Sequence, residues 1–515
     1  MKFQKQYSSR IALFCLFLLS FTSFSQTKPT FQWKETSTKI ENETEHDVQH
    51  YFDGSKLFKL RSIYNSKIFN TDIFVDIYDS KDDFELDDTK NVSVSQPVMG
   101  LNMLTIVNTF YLSGREQVQF LSEFNRESRE NELFFRKVNF DTGTPTKPQL
   151  VTSFTAKNGV NSGDFFIARS ENKQFYVVLK QPSYDKKVNQ KIALTLLDSK
   201  FKVIKEVEYE FPFSSKQSGD HTLYVSNSGN VVLVKNIDLP KMKPYMSLFF
   251  WNSNDTKVIE HPLNLEFDYL QINQYKITFD DTNFYLNGFF SDSARFFSVK
   301  YGESSPSNGL VVGKFNAQTG AKDYFKTINT EKYKSFFLKE VLLDQGKAWV
   351  IYDQIKKNTK RLPSADPSKP LEYRYEYQFS SNGMTVVMIN LADGNLDWLK
   401  NINNPEPDTI NDNGDFVSGL YFLRNQKLSI IFNRTIDLNT GVIRVPYKSR
   451  IPVLHTYDAT GNLIENFDIP NAGVGGTKAH CFELDTSFAI PLSDGSYLVR
   501  SRCGTSSARY GYLKI

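Results

Sequence analysis

Apolar residues along this chain come in short runs, some alternating with polar residues and some unbroken. Gly, Asn and Asp cut them at close intervals. A period of two interrupted by turn formers predicts β-strands and tight hairpins rather than helices. The stretch VVMINLADGNLDWLKNIN (386–403) shows the pattern whole: an apolar strand, Asn390, a polar turn with Gly394, and a second strand carrying Trp398. The same form recurs in GKFNAQTGAKDYFKTIN (313–329) and LHTYDATGNLIENFDIP (454–470). Weaker copies are FRKVNFDTGTPTKPQLV (135–151) and LTLLDSKFKVIKEVEYE (194–210). LFFWNSNDTKVIEHPLN (248–264) and DIFVDIYDSKDDFELDD (72–88) are degenerate members. Turns therefore fall near residues 80, 143, 199, 254, 320, 394 and 461.

Another hairpin precedes the copies, as in SNSGNVVLVKNI (226–237), LDQGKAWVIYD (343–353) and LSDGSYLVRSR (492–502). One unit is thus two hairpins, or four antiparallel strands. Four-stranded units at a fixed period predict an all-β fold, a β-propeller of seven to eight blades. A lone hairpin cannot bury its apolar face, whereas stacked units can. The last unit supplies a hairpin and the strand RYGYLKI, and the early segment TFQWKET (30–36) has no hairpin partner of its own. That N-terminal strand is expected to complete the last blade and close the ring, which removes exposed sheet edges. Tandem β-sandwiches are the alternative.

Composition agrees: 44 Phe and 26 Tyr suit pleated, half-buried surfaces. Residues 1–25 have the form of a signal peptide. Lys2, Lys5 and Arg10 precede the apolar run Ile11–Leu19, and Ser23 and Ser25 mark a cleavage site before Gln26. The run is too short to span a bilayer, which takes about 20 residues. No second run of membrane length follows, so residues 26–515 are expected to form one exported domain, in the periplasm, at the cell surface or secreted. Without the three basic residues of the leader, the 61 Lys+Arg fall to 58, equal to the 58 Asp+Glu. A neutral chain argues against a nucleic-acid binder. Cys481 and Cys503 flank the last predicted hairpin near its open end. An oxidising compartment makes a disulfide between them plausible, and two buried thiols are the alternative.

The stretch SDGSYLVRSRCGTSSARYGYLKI (493–515) resembles the repeats of exported bacterial β-propellers, and INLADGNLDWLKNI resembles the turn of quinoprotein-type blades. The leader ending Ser-Phe-Ser-Gln is similar to those of Bacteroidota envelope proteins. This likeness covers the repeats and no active site. A quinone cofactor is not expected, since the adjacent-cysteine pair of some such enzymes is absent. Trp398 reads as a blade-packing residue, with Phe325 and Phe467 near the matching place in two other units.

Candidate chemistry is sparse. Asp408, Asn411, Asn413 and Asp415 surround Gly414 in DTINDNGDF, an oxygen-rich pattern that suits Ca²⁺, the one cofactor the sequence suggests. His46 and His50 in EHDVQH have zinc-ligand spacing if helical, but the segment reads as strand. The acids of DIYDSKDDFELDD read as a solvated outer edge. The longest interruption, 356–377, carries Lys356, Lys357, Lys360 and Arg361, three prolines, then Tyr373, Tyr375 and Tyr377. It reads as a loop inserted within a blade, and long loops on rigid scaffolds often carry binding function. The expectation is a non-catalytic binding or assembly module that takes an envelope protein or glycan. A hydrolase acting on carbohydrate at the propeller axis is the alternative; the sequence shows no nucleophile elbow and no readable carboxylate pair.

Overall fold

The computed structural model describes residues 29–34, 38–39, 46–65, 70–93, 104–112, 115–237, 245–263, 269–291, 307–333, 337–363, 373–410, 418–436, 449–469, 482–503 and 507–515. Eight four-stranded antiparallel sheets follow one another along the chain as the blades of a β-propeller. A short strand β1 (Thr30–Trp33) and a two-residue strand β2 (Thr38–Lys39) come first. Blade 1 is β3 (His46–Phe52), β4 (Lys56–Asn65), β5 (Asn70–Asp79) and β6 (Glu85–Asn91). Blade 2 is β7 (Thr105–Tyr111), β8 (Glu116–Asn125), β9 (Glu130–Asn139) and β10 (Gln149–Thr155). Blade 3 is β11 (Asp164–Arg169), β12 (Phe175–Gln181), β13 (Asn189–Asp198) and β14 (Val203–Ser214). Blade 4 is β15 (Ser218–Val225), β16 (Val231–Ile237), β17 (Tyr245–Trp251) and β18 (Val258–Pro262). Blade 5 is β19 (Tyr269–Phe279), β20 (Asn283–Ser291), β21 (Ser307–Asn316) and β22 (Lys322–Tyr333). Blade 6 is β23 (Phe337–Asp344), β24 (Lys347–Pro363), β25 (Tyr373–Asn390) and β26 (Asn395–Ile410). Blade 7 is β27 (Gly419–Arg424), β28 (Lys427–Ile436), β29 (Ser449–Tyr457) and β30 (Leu463–Asp468). Blade 8 takes β31 (Phe482–Pro491), β32 (Tyr497–Cys503) and β33 (Ser507–Lys514), and β1 is its fourth strand. Among the described residues the one helical turn is a 3-10 turn at Ser215–Gln217.

The blade count settles at eight, and the ring closes as the sequence predicts. Thr30, Phe31, Gln32 and Trp33 pair with Lys514, Leu513, Tyr512 and Gly511. The core is not one cluster but eight, each sandwiched between neighbouring blades. One of them joins Phe52, Leu57 and Phe84 of blade 1 to Phe488, Leu498 and Tyr510 of blade 8. Eight blades with eight interfaces leave no free end, so each blade's apolar faces are covered by its neighbours.

The recurrent turn has a packing role. Trp398 of blade 6 donates its indole N–H to Ala459 O of blade 7 at 3.0 Å. Its ring covers Gly461 in that blade's last turn, where a Cβ would stand 2.9 Å from the ring. Tyr324 of blade 5 does the same for blade 6, donating to Leu391 O at 3.1 Å and covering Gly394. Tyr324, not Phe325, therefore occupies the place matching Trp398; Phe325 packs with the core between blades 4 and 5. Gly461 has φ +81°, a left-handed conformation costly for any residue with a Cβ. The sequence repeat is thus a lock between blades.

Candidate functional site

The first strand of each blade is the innermost: β11 lies beside β15 and β19 beside β23, and all four face one cavity. They wall a cavity of about 520 Å³. Arg169, Leu223, Tyr224, Lys276, Glu340 and Leu342 line it, so its wall mixes charge with aliphatic surface. Lys276 and Glu340 form an ion pair that ties blade 5 to blade 6. Arg169 donates to Tyr111 O and lies over the Phe110 ring, 5.1 Å from its centroid. Burial pushes the Tyr224 hydroxyl up to about 12, so it stays protonated. Of the two glutamates on the wall, Glu340 is engaged by Lys276 and Glu171 is exposed.

Nearer the other end of the ring, Asp353 is wholly buried between blades 6 and 7. Ser418 Oγ donates to it at 2.5 Å, Tyr421 OH at 2.9 Å, and Lys339 Nζ stands 3.5 Å away. Burial raises the Asp353 carboxyl above its ordinary value, against the opposing pull of Lys339 and the two hydroxyls. Burial, aided by Asp353, holds Tyr421 well above 10. A second buried carboxylate, Asp485, is held between blades 8 and 1. Arg500 grips it through Nε at 2.8 Å and Nη2 at 2.7 Å. His50 lies 3.4 Å from Arg500 Nη1 and edge-on to Phe488. Burial and then Arg500 push His50 well below 6.5, so it is neutral at physiological pH. On the extended strand His46–Phe52, positions 46 and 50 stand about 13 Å apart along the backbone, so they lack the one-turn spacing that a helix would give two zinc ligands.

Asp353 marks the point where blade 6 departs from its siblings. The strand β23 begins at Phe337, opposite Asp353, but β24 runs on to Pro363. Beyond Asp353, β24 pairs with β25 from Ile355↔Ser381 to Pro363↔Tyr373, and β26 follows β25 as far as Gln378↔Ile410. The segment read from the sequence as a loop is therefore a β-extension, with only 364–372 between its paired arms outside the described residues. Its arms reach about 30 Å past the blade at roughly 3.3 Å per residue. Among the described residues no strand pairs with the inner edge of β24, the side taken by β23 lower in the blade, from Ile355 to Pro363.

Lys356, Lys357, Lys360 and Arg361 all fall on that edge strand, and the Lys360 and Arg361 side chains are exposed. Tyr373, Tyr375 and Tyr377 fall on the facing strand β25. Asp408 lies on β26, in extended backbone, whereas Asn411, Asn413 and Asp415 lie outside the described residues. Cys503 ends β32, while Cys481 and the leader 1–25 lie outside the described residues. Among the described residues no three His, Cys, Asp or Glu side chains converge as metal ligands. The acidic stretch 76–88 is not uniformly solvated. Asp76 is buried on the inner strand β5, where Arg61 Nε donates to it at 2.7 Å and Thr89 Oγ1 at 2.8 Å. Asp87 and Asp88, on the outer strand, pair with Lys56 and Lys90.

No family model and no curated protein matches the chain. Among solved structures it is similar to the polysaccharide lyase Uly1, at 11% identity and TM-score 0.32 over 78% of this chain and 88% of that one. It is similar to the β-propeller domain of the Trilobed protease from Pyrococcus furiosus, at 11% identity and TM-score 0.32 over 82% and 96%. The Synechocystis apocarotenoid oxygenase gives 10% identity and TM-score 0.33 over 86% and 94%. Likenesses this distant carry no functional argument.

Proposed function

We propose that this protein is a non-catalytic binding module of the bacterial cell envelope, exported by the leader at 1–25. In this reading the blade 6 extension takes an extended, acidic segment of a protein partner along the open edge of β24. The supporting observation is that the blade 6 insertion is built as paired strands whose edge strand has no partner among the described residues from Ile355 to Pro363 and carries Lys356, Lys357, Lys360 and Arg361. An open edge offers a row of backbone N–H and C=O groups, and strand addition to such an edge is a recurring mode of peptide recognition. Edge lysines repel a like strand and so deter self-association. The same charges favour an acidic strand, which makes that the occupant the edge selects. The hydrolase reading has less support, because glycoside hydrolysis needs two carboxyl groups in separate roles and Glu340 on the axial wall is bound to Lys276.

The test is fluorescence anisotropy with a labelled Asp/Glu-rich extended peptide and its Gln-substituted counterpart. The acidic peptide binds the intact protein, binding weakens with salt, and the Lys360→Glu, Arg361→Glu double variant loses it. Equal binding of both peptides overturns the proposal. So does undiminished binding after residues 356–380 are replaced by a two-residue turn.

A further inference from the structure

Two connections rise together at one end of blade 3: the link into β11 (156–163) and the β12–β13 connection (182–188). A cavity of about 310 Å³ lies between them, lined by Ser162, Asp164, Gln181, Tyr184, Gln190 and Ser215 among others. Asn161 clamps the two segments: its Oδ1 accepts from Tyr184 N at 2.7 Å and its Nδ2 donates to Tyr184 O at 2.9 Å. Ser183 Oγ donates to Asn161 O at 2.6 Å. Gly163, at φ +81°, lets the segments meet this closely, since a Cβ there would stand 2.5 Å from Gln181 O. The position of Tyr184 is thus fixed through its own backbone before any ligand arrives, while its side chain remains exposed.

The floor of the cavity has unmet hydrogen-bonding capacity. Gln190 is only 5% exposed, and its carboxamide oxygen and that of Gln181 are enclosed without a hydrogen-bond partner among the described residues. Leaving such a group unpaired is costly, so donors are favoured there. Asp164 forms no ion pair or side-chain hydrogen bond among the described residues. No basic side chain lines the cavity, which disfavours phosphates and carboxylates. Val160 and Tyr184, both exposed, line it and supply apolar surface at the rim.

We infer that this cavity is a binding subsite for one ring of a neutral sugar. The C–H face of a pyranose lies on an aromatic ring such as that of Tyr184. Its hydroxyls donate to the exposed Asp164 carboxylate, and the Gln181 and Gln190 side chains turn their enclosed carboxamide oxygens into the cavity to accept further ones. The volume stands at the small end of ligand sites, about 300–1,000 Å³, which suits one ring rather than a chain. The pinned Tyr184 lowers the ordering cost of binding. The site is independent of the blade 6 extension.

Saturation-transfer difference NMR on the intact protein tests the inference. The probes are the methyl glycosides of glucose, mannose, galactose and N-acetylglucosamine at tens of millimolar, with glucose 6-phosphate and glucuronate as charged comparators. At least one neutral glycoside binds. Tyr184→Ala and Asp164→Asn, both at exposed positions, each weaken it about tenfold, the scale of one aromatic contact or one charge-assisted hydrogen bond. The variant lacking residues 356–380 binds the glycoside unchanged, which separates this site from the peptide edge. The inference is overturned if no neutral glycoside receives saturation, if both substitutions leave binding intact, or if the charged sugars bind more tightly.

Discussion

Removing one side chain from the closing strand should unlatch the ring. Phe31 is 5% exposed and is the one fully inserted side chain of the four-residue strand β1. It stacks on Trp33, centroids 5.0 Å apart, and packs into the core between blades 7 and 8 with Leu420, Leu454 and Leu513. Truncating a buried Phe to Ala costs about 3–5 kcal/mol. Among the described residues the strand β1 is held along one side, by β33, so much of that loss appears as local detachment rather than global unfolding. At about 1.4 kcal/mol per tenfold, a loss near 3 kcal/mol raises the open population of β1 by about a hundredfold. Hydrogen–deuterium exchange read by mass spectrometry measures this directly. In Phe31→Ala, peptides covering 507–515 exchange faster by about two orders of magnitude, and peptides of blade 4 covering 231–251 are unchanged. Thr30→Ala, at an exposed position of the same strand, leaves both as in the parent. If 507–515 exchanges at the parental rate in Phe31→Ala, β1 is not the latch and the closure argument fails.

Other perturbations follow from the same contacts. Burial, with Lys235 secondary, lowers His221 from 6.5 to about 4, so the unfolded chain binds a proton that the folded chain refuses. Stability is then full above pH 6.5 and declines as pH falls toward 4. His221→Phe should remove about 2.5 kcal/mol of that decline between pH 7 and 4.5, read by urea denaturation at both values. Asp353 has the opposite sign: its raised carboxyl favours the fold most below 3.8, and stability declines as pH rises through its folded value. Asp353→Asn should flatten that slope, whereas Asp353→Ala strands the Ser418 and Tyr421 hydroxyls at about 1–3 kcal/mol each. Gly461→Ala meets both a left-handed backbone and the Trp398 ring, while Gly495→Ala, also at φ +81° but with nothing within 4 Å of its Cβ, meets the backbone cost alone. The first should lower the thermal midpoint more than the second, and equal losses would mean that the indole contact contributes nothing.

Periodicity located the turns because each blade repeats the same local problem. An apolar third strand reverses beside its neighbour, so Asn, Asp and Gly recur at one place. The lock made by Trp398 was legible for the same reason. Its counterpart Tyr324 does not stand out by residue type, because the constraint is distance from the turn glycine: Trp398 and Tyr324 stand four residues after Gly394 and Gly320. The extension of blade 6 resembles a loop in sequence because Pro363, Pro367 and Pro370 and the basic run are loop signals. The contrary signal was present: Tyr373, Tyr375 and Tyr377 alternate with charged residues at the period of a strand. The axial cavity was not legible at all. Its wall draws residues 169, 224, 276 and 340 from four blades, and nothing in local sequence relates them. The blade 3 pocket was hidden differently, since its residues look like ordinary turn formers until Asn161 is seen to clamp Tyr184.

The direction of the strands assigns roles to the two ends of the ring. In an antiparallel blade, the turns joining first to second and third to fourth strands lie at one end. The connections from second to third strand, and from blade to blade, lie at the other. At the turn end Gly320, Gly394 and Gly461 are covered by Phe250, Tyr324 and Trp398 of the preceding blade, so the backbone there is committed to blade packing. A longer turn would displace those rings and open the neighbouring core. Among the described residues the other end shows no such repeated lock, and two described departures from the repeat occur there: the β24–β25 extension and the paired connections around the blade 3 cavity. Insertions are tolerated where they disturb no shared core. An end whose described connections are not committed to such locks can vary with less disturbance of the blade cores, and the proposed peptide edge and the proposed sugar subsite both fall on it.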